Sequence, residues 1–300
     1  MTQLSGGKGS GQKGSGEKTS RAPYLMASPA LVLFAVFLVV PLAATLLLSL
    51  NSFSLYKGIE NVYSLDNYRD IFSDSYFHEI FLRTLRLAVL VTLLSALLGV
   101  PEAYILNRMR APWRGIFLMI VLGPLLISVV SRTLGWALLL GSTGLINQGL
   151  VAAHLIGTPL QFMYSETGIV IALTHVLVPF MVIAVWAALQ RLDPQVENAA
   201  VSLGAGPVRV LLRVVLPQVL PGALSGAIIV FALAASAFAT PAIIGGRRLK
   251  VVATLAYDEF LNTLNWPLGA AVAVLLLVAI VVITLYCNNR LERRYAQVFE

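Results

Sequence analysis

The chain has 300 residues, of which 58% are hydrophobic and only 12% are charged, and its formal net charge is +7. Soluble domains are about half apolar and a quarter charged, so this composition excludes a typical soluble protein and favours helices that cross a bilayer. The single cysteine, Cys287, excludes an internal disulfide framework and a cysteine-rich metal site.

Residues 1–23 come first and are rich in Gly, Ser and Lys. This composition predicts a disordered tail, whose lysines either help to fix the topology or touch anionic lipid. Apolar stretches long enough to cross a bilayer follow at 24–50, 84–106, 115–140, 167–189, 223–244 and 267–287. The segment MASPA precedes the first apolar run instead of following it, so this run is predicted to be a retained span and not a cleaved signal peptide. The expected fold is an all-α polytopic membrane protein with six transmembrane helices.

The distribution of basic residues predicts the orientation, because cytoplasmic loops carry an excess of Lys and Arg. The two tails, the loop after the second span and the segment 190–222 are all basic, and six spans place them on one side. On the other side, residues 51–82 are more acidic than basic, and residues 141–166 contain no Lys or Arg. Arg247, Arg248 and Lys250 oppose this pattern but are outnumbered.

Both termini and the segment 190–222 are therefore predicted to be cytoplasmic. This topology divides the chain into a tail, a first span with its outer loop, a core of five spans that contains the segment 190–222, and a second tail, with bounds at 1–23, 24–82, 83–288 and 289–300.

The segment between the fourth and fifth spans is too long and too patterned for a simple loop. Asp193 followed by Pro194 predicts a helix start, and a short helix over 195–203 is then ended by Gly204-Ala205-Gly206-Pro207. A second helical piece is predicted from Val208 to Leu216, where Pro217 and Pro221 end it. A compact helix-turn-helix with small alanines on its exposed face suits a partner's groove, and the alternative is an interfacial helix on lipid headgroups.

The stretch ENAAVSLGAGPVRVLLRVVLPQVLPG at 197–222 resembles the EAA loop of the membrane subunits of binding-protein-dependent ABC importers. That pattern is Glu-Ala-Ala, three residues, Gly, nine residues, Ile, any residue and Leu-Pro. Asn198 stands at the motif's Glu position, and the acid is displaced to Glu197. The residues assigned to this loop are Asp193, Glu197, Asn198, Ala199, Ala200, Gly204, Ala205, Val214 (at the Ile position), Leu216 and Pro217.

The resemblance extends over most of the chain. NYRDIF at 67–72, SRTLGWALLLGSTGLIN at 131–147, ATPAIIGG at 239–246 and NWPLGAAVAVLLL at 265–277 are similar to the spermidine/putrescine-type branch of these permeases. The resemblance implies a type I ABC importer permease in a bacterial inner membrane, paired with a second related permease subunit. It also implies an ATP-binding subunit dimer that docks on the EAA loop and carries ATP and Mg, and an extracytoplasmic solute-binding protein. The solute it implies is a polyamine, with an opine, an amino acid derivative or another small organic solute as the alternative.

The absence of several sequence motifs agrees with an ATP-binding subunit that is separate from this chain. The chain contains no GxxxxGK[ST], HExxH or GxSxG segment, so we expect no ATP site, metal site or common hydrolase centre in it and no cofactor of its own. An ion-coupled secondary carrier is the distant alternative, but the spans contain few ionisable residues and the sequence shows no internal repeat. The placement of the positive charge on one side of a membrane argues against nucleic acid as a partner.

A few residues are candidates for the solute path. Arg132 and Trp136, late in the third span, are predicted either to form a gate or to reach the outer headgroups and the aromatic belt. Tyr257, Asp258 and Glu259, before the last span, can receive an ammonium group by charge and cation–π attraction, unless they form a solvated loop. Glu102 is expected to make a structural hydrogen bond or to snorkel to the interface, with substrate contact as the alternative. His175 is expected to be a neutral side chain bonded to a neighbour, with a role in transport as the alternative.

Overall fold

A computed structural model describes residues 22–54 and 56–299. The predicted disordered tail lies almost entirely outside these residues. The described residues fall into two units, 22–44 and 45–299. The helices are α1 Ala22–Ser49, α2 Asp66–Ser73, α3 Ser75–Arg108, α4 Trp113–Leu126, α5 Val129–Leu140, α6 Leu145–Ala152, α7 Glu166–Leu189, α8 Pro194–Ser202, α9 Pro207–Val210, α10 Leu216–Ala235, α11 Val252–Leu261 and α12 Trp266–Phe299. Two π-helical turns, Leu211–Val215 and Pro241–Gly245, and an antiparallel hairpin of β1 Asn51–Ser54 and β2 Gly58–Tyr63 complete the fold.

Within the described residues, six helical segments are long and apolar enough to cross a membrane, which confirms the number of spans predicted. They are Ala27–Ser49, Ser75–Arg108, Val129–Ala152 (which contains α5 and α6), Glu166–Leu189, Pro207–Ala235 and Trp266–Arg293. The last helix continues to Phe299, so most of the predicted tail 289–300 is an extension of α12.

The prediction of one continuous third span over 115–140 is wrong. The chain leaves the helical conformation at Ile127 and Ser128, between α4 and α5. Pro124, in the last turn of α4, has no amide N–H, so it weakens the turn that precedes the break. Its carbonyl accepts hydrogen bonds from the Ile127 amide, at 3.4 Å, and from the Arg132 guanidinium, which stabilise the end of α4.

The fifth span differs from the predicted 223–244 at both ends. Its helix begins at Pro207, and neither Pro217 nor Pro221 ends it. The π turn Leu211–Val215 widens the helix immediately before Pro217, and such local adjustments accommodate the missing proline N–H. The helix stops at Ala235, and the second π turn begins at Pro241, whose missing N–H disfavours a continuous helix.

The core of the second unit is built by α3, α7 and α10. Met181, Val182 and Val185 on α7 are fully buried in it. The close approach of α10 to α7 depends on small residues. A Cβ added to Gly222 of α10 would lie 2.4 Å from the Cβ of Ala188 on α7. Membrane helices use such small residues because lipid supplies no hydrophobic drive for their association.

An ion-pair cluster joins the start of α7 to the start of α3. Glu166 accepts from Arg86 and lies 3.5 Å from the Nε of Arg83. Arg83 also donates to the backbone oxygen of Lys250 at 3.1 Å. These contacts fix the segment between α10 and α11 against α3. Neither arginine stands out in the sequence, because both lie at the start of a predicted span.

Candidate functional site

The segment 193–217, called the 193–217 hairpin below, begins as predicted. The Asp193 carboxylate accepts from the amide of Gln195 at 2.9 Å and caps α8. Gly204 has φ +83°, a left-handed conformation that favours glycine, and it ends α8. The amide of Ala205 then returns to the carbonyl of Ala200 at 3.1 Å. The first helix and the turn of the predicted motif are therefore confirmed, but the end predicted at Pro217 is wrong. The prediction of alanines on the exposed face is right for Ala199 and wrong for Ala200, which packs against the core.

The hairpin has one face toward the protein and one away from it. Ala200, Ala205 and Val214 pack against the core, so these motif positions hold the hairpin in place. Large apolar side chains on the other face are not covered by the described residues: Leu203 is 89% exposed and Val208 is 67% exposed. Large apolar side chains that are this exposed are typical of a protein–protein or membrane contact.

Glu197 lies on the first turn of α8 and is bound within the chain. Its carboxylate accepts from the guanidinium of Arg108, the last residue of α3. Arg108 is also placed over the ring of Tyr104, 4.9 Å from its centroid. The neighbouring Asn198, which has the motif's Glu position, is exposed. The displaced acid therefore attaches the hairpin to the end of a spanning helix.

A cavity of about 570 Å³ lies between α3, α4, α5 and α7. Apolar side chains form most of its wall, and the polar groups in it are Glu102, Trp136, Thr174 and His175. The described residues that line it include no Lys or Arg. Cavities of this size and composition suit small solutes.

Trp136 and His175 form one unit on the cavity wall. The indole Nε1 donates to His175 Nδ1 at 3.1 Å, and the rings meet edge to face with centroids 5.3 Å apart. An indole N–H can only donate, so Nδ1 carries no proton and the imidazole is neutral. The predicted bond from His175 to a neighbour is therefore present, in a residue that also lines a cavity.

Arg132 does not line this cavity, although it bonds to the carbonyl of Pro124, which does. It is 9% exposed, and its guanidinium donates to the Pro124 carbonyl at the break between α4 and α5. Its Nε is buried and has no partner among the described residues. The contact that the structure gives it is the closure of a helix end.

Tyr257, Asp258 and Glu259 lie on α11, and none of them lines the cavity. Asp258 is 2.6 Å from the Nζ of Lys250, so its charge is already paired. Glu259 accepts from the Thr263 hydroxyl at 2.6 Å. Tyr257 packs against Phe238 with ring centroids 4.9 Å apart. Of the predicted path residues, only Trp136 shares a cavity with Glu102 and His175.

Among the described residues, six apolar spans, an exposed hairpin between the fourth and fifth, and a cavity between helices are features expected of a membrane transport subunit. Residues 23–297 match the family described as binding-protein-dependent transport system inner membrane component, and the chain belongs to that family. It is a multi-pass inner-membrane permease subunit of an ABC importer and not a catalytic enzyme.

The chain is similar to named permeases over most of its length. The spermidine/putrescine transport system permease protein PotB of Escherichia coli (strain K12) is 29% identical over 218 residues, which cover 73% of this chain and 79% of that protein. The inner membrane ABC transporter permease protein YdcU of the same organism is 31% identical over 237 residues, 74% of each chain.

A crystal structure of a bacterial alginate ABC transporter, in complex with an alginate pentasaccharide-bound periplasmic protein, contains a chain of the same fold. The TM-score is 0.73 at 21% identity, over 91% of this chain and 94% of that one.

Proposed function

We propose that this chain is one of two related permease subunits of an ATP-driven importer, and that its solute is a polyamine of the spermidine/putrescine kind. The observation that carries the assignment of the solute is the similarity to the permease PotB over 73% of the chain. The cavity supports it, since its wall contains the carboxylate of Glu102 and no Lys or Arg side chain among the described residues. A flexible polycation needs such a counter-charge inside the membrane.

The 193–217 hairpin is the proposed docking site for separate ATP-hydrolysing subunits. The exposed side chains of Leu203 and Val208 supply an apolar contact for the ATPase. Ala200 and Ala205 pack against the core, so a movement of the hairpin can be transmitted to α10. ATP and Mg bind to those subunits, and this chain contributes no cofactor site. An extracytoplasmic solute-binding protein delivers the solute to the opposite face.

Both termini and the hairpin are proposed to lie in the cytoplasm. The contact between Arg108 and Glu197 supports one part of this topology, because it joins the end of α3 to the hairpin on a single side. Arg108, Arg110, Arg114, Arg209 and Arg213 are then gathered on that side, as expected for a cytoplasmic surface.

Uptake of labelled spermidine and putrescine tests the function directly. Cells that contain the complete importer should accumulate both, and deletion of this chain's gene should abolish the accumulation. Cells that take up neither polyamine, but do take up an opine or another amino acid derivative through the same complex, would reject the assignment of the solute and keep that of the permease.

A further inference from the structure

Glu102 is an isolated carboxylate in a spanning helix. It lies on α3, six residues before Arg108, which is about 9 Å from the helix end at 1.5 Å per residue. No hydrogen bond or ion pair to its carboxylate occurs within residues 22–54 and 56–299. A charged group inside a membrane is costly unless something compensates it. A missing partner therefore suggests that a ligand supplies the compensation.

A second polar group in the same wall is also left without a partner. Thr174 on α7 is 5% exposed, and its hydroxyl oxygen is buried and makes no hydrogen bond to the described residues. Buried hydroxyls nearly always have a partner, because leaving one unpaired costs about 1–3 kcal/mol. Thr174 and Glu102 both line the cavity of about 570 Å³, although they are on different helices.

Trp136 adds an aromatic face of fixed orientation. Its Nε1–H is committed to His175 at 3.1 Å, so the ring cannot turn away without losing that bond. An indole is the aromatic group that best attracts a cation over its face. Arg132, four residues before Trp136 on α5, is bound to the Pro124 carbonyl and is not part of the lining.

We propose that this cavity binds an ammonium group of the solute, with the Glu102 carboxylate as counter-charge, the Trp136 ring as aromatic wall and the Thr174 hydroxyl as hydrogen-bond acceptor. An ammonium group has three N–H donors and no acceptor, which these groups complement. The inference rests on the proposed polyamine function and deepens it: the membrane subunit itself recognises the cation, in addition to the solute-binding protein.

The test is direct binding of labelled spermidine to the purified, complete membrane complex with its ATPase subunits, without the solute-binding protein. The wild-type complex should bind spermidine, and Glu102→Gln, which keeps the side-chain shape, should weaken that binding at least about tenfold. Trp136→Leu should weaken it more than Trp136→Phe, which keeps an aromatic face. Glu292→Gln, which neutralises an exposed carboxylate on α12, is the matched control and should bind as the wild type does.

The outcomes separate the two hypotheses. If the wild-type complex with its solute-binding protein imports spermidine, but Glu102→Gln binds spermidine as tightly as the wild type, the ammonium site is wrong and the proposed function stands. The ammonium site is also wrong if the importing wild-type complex binds no spermidine on its own. If the wild-type complex imports neither spermidine nor putrescine, the proposed function and the ammonium site both fall.

Discussion

Arg108, the last residue of α3, donates to the carboxylate of Glu197 on the first turn of α8. The two residues are 89 positions apart in the chain, and their contact attaches the 193–217 hairpin to the end of a spanning helix. The adjacent Asn198 has an exposed side chain at the position where the EAA pattern has its acid. The charge of this segment therefore acts within the permease, and a neutral amide faces outward.

Removing either partner of this ion pair should loosen the hairpin. Glu197→Gln and Arg108→Gln should each lower solute-stimulated ATP hydrolysis by the reconstituted importer about two- to fivefold, as expected for a partly exposed ion pair. The double variant should be no worse than either single one, because both remove the same contact. Asn198→Glu should be tolerated, since that side chain is exposed.

Two results would contradict this interpretation of the pair. A severe effect of Glu197→Gln with none for Arg108→Gln would mean that the carboxylate acts on the ATPase itself. A severe effect of Asn198→Ala beside a silent Glu197→Gln would mean that the motif position, and not the charge, makes the contact.

Arg132 should act as a structural residue. Arg132→Met removes the charged donor from the Pro124 carbonyl, which should destabilise the protein by about 1.5–3 kcal/mol, whereas Arg132→Lys can keep a donor there. Thermal unfolding of the purified protein measures this, with the exposed Arg248→Met as a control of unchanged stability. Normal stability of Arg132→Met together with lost uptake would instead favour a gate.

The two acids on α11 should differ in their effect on polycation uptake. Glu259→Gln should lower spermidine uptake up to about fivefold, because one screened charge interaction is worth about 1 kcal/mol. The double variant Asp258→Asn/Lys250→Met removes an ion pair that has no net charge, so it should leave spermidine uptake unchanged. Unchanged spermidine uptake in Glu259→Gln, together with reduced uptake in the double variant, would contradict this prediction. A larger effect of Arg247→Gln would point to a carboxylate-bearing solute.

The Lys250–Asp258 pair should stabilise the fold equally across the neutral range. Burial lowers the pKa of Lys250, but its hydrogen bond with Asp258 and the charges of Asp258 and Tyr76 more than offset this, so the pKa is raised. A raised lysine pKa gives stabilisation that is complete below its ordinary value of 10.5 and is lost as the pH rises through the folded-state pKa. Lys250→Met should therefore lower the unfolding midpoint by the same amount at about pH 6.5 and pH 8.5. A difference that grows between these two values would contradict the sign of the shift, because a lowered lysine pKa destabilises the fold most at low pH and less as the pH rises.

Features with local causes could be predicted from the sequence. The number of spans follows from apolar runs, and the start and turn of the hairpin follow from a capping Asp193 and a left-handed Gly204. Features that depend on the three-dimensional arrangement of the helices could not be predicted. The break at Ile127 involves the contact of Arg132 with the Pro124 carbonyl, and the fifth span continues through Pro217 beside a π turn.

The cavity also depends on how helices that are far apart in the sequence pack together. It brings together Glu102, Trp136 and His175 from three different helices, and no spacing along the chain indicates that they meet. The expectation of structural roles for Glu102 and His175 rests on each residue in isolation. Their shared cavity gives both of them a further candidate role.

The 193–217 hairpin is the proposed docking site for the ATPase, and co-purification of the ATPase with variants of the turn tests this role most directly. Gly204 and Gly206 both face open space, but only Gly204 has a positive φ, +83°, which a β-branched residue adopts at high cost. Gly204→Val should still insert into the membrane and should lose the ATPase, whereas Gly206→Val, the matched control, should retain it. Recovery of the ATPase with Gly204→Val in wild-type amounts would contradict the account.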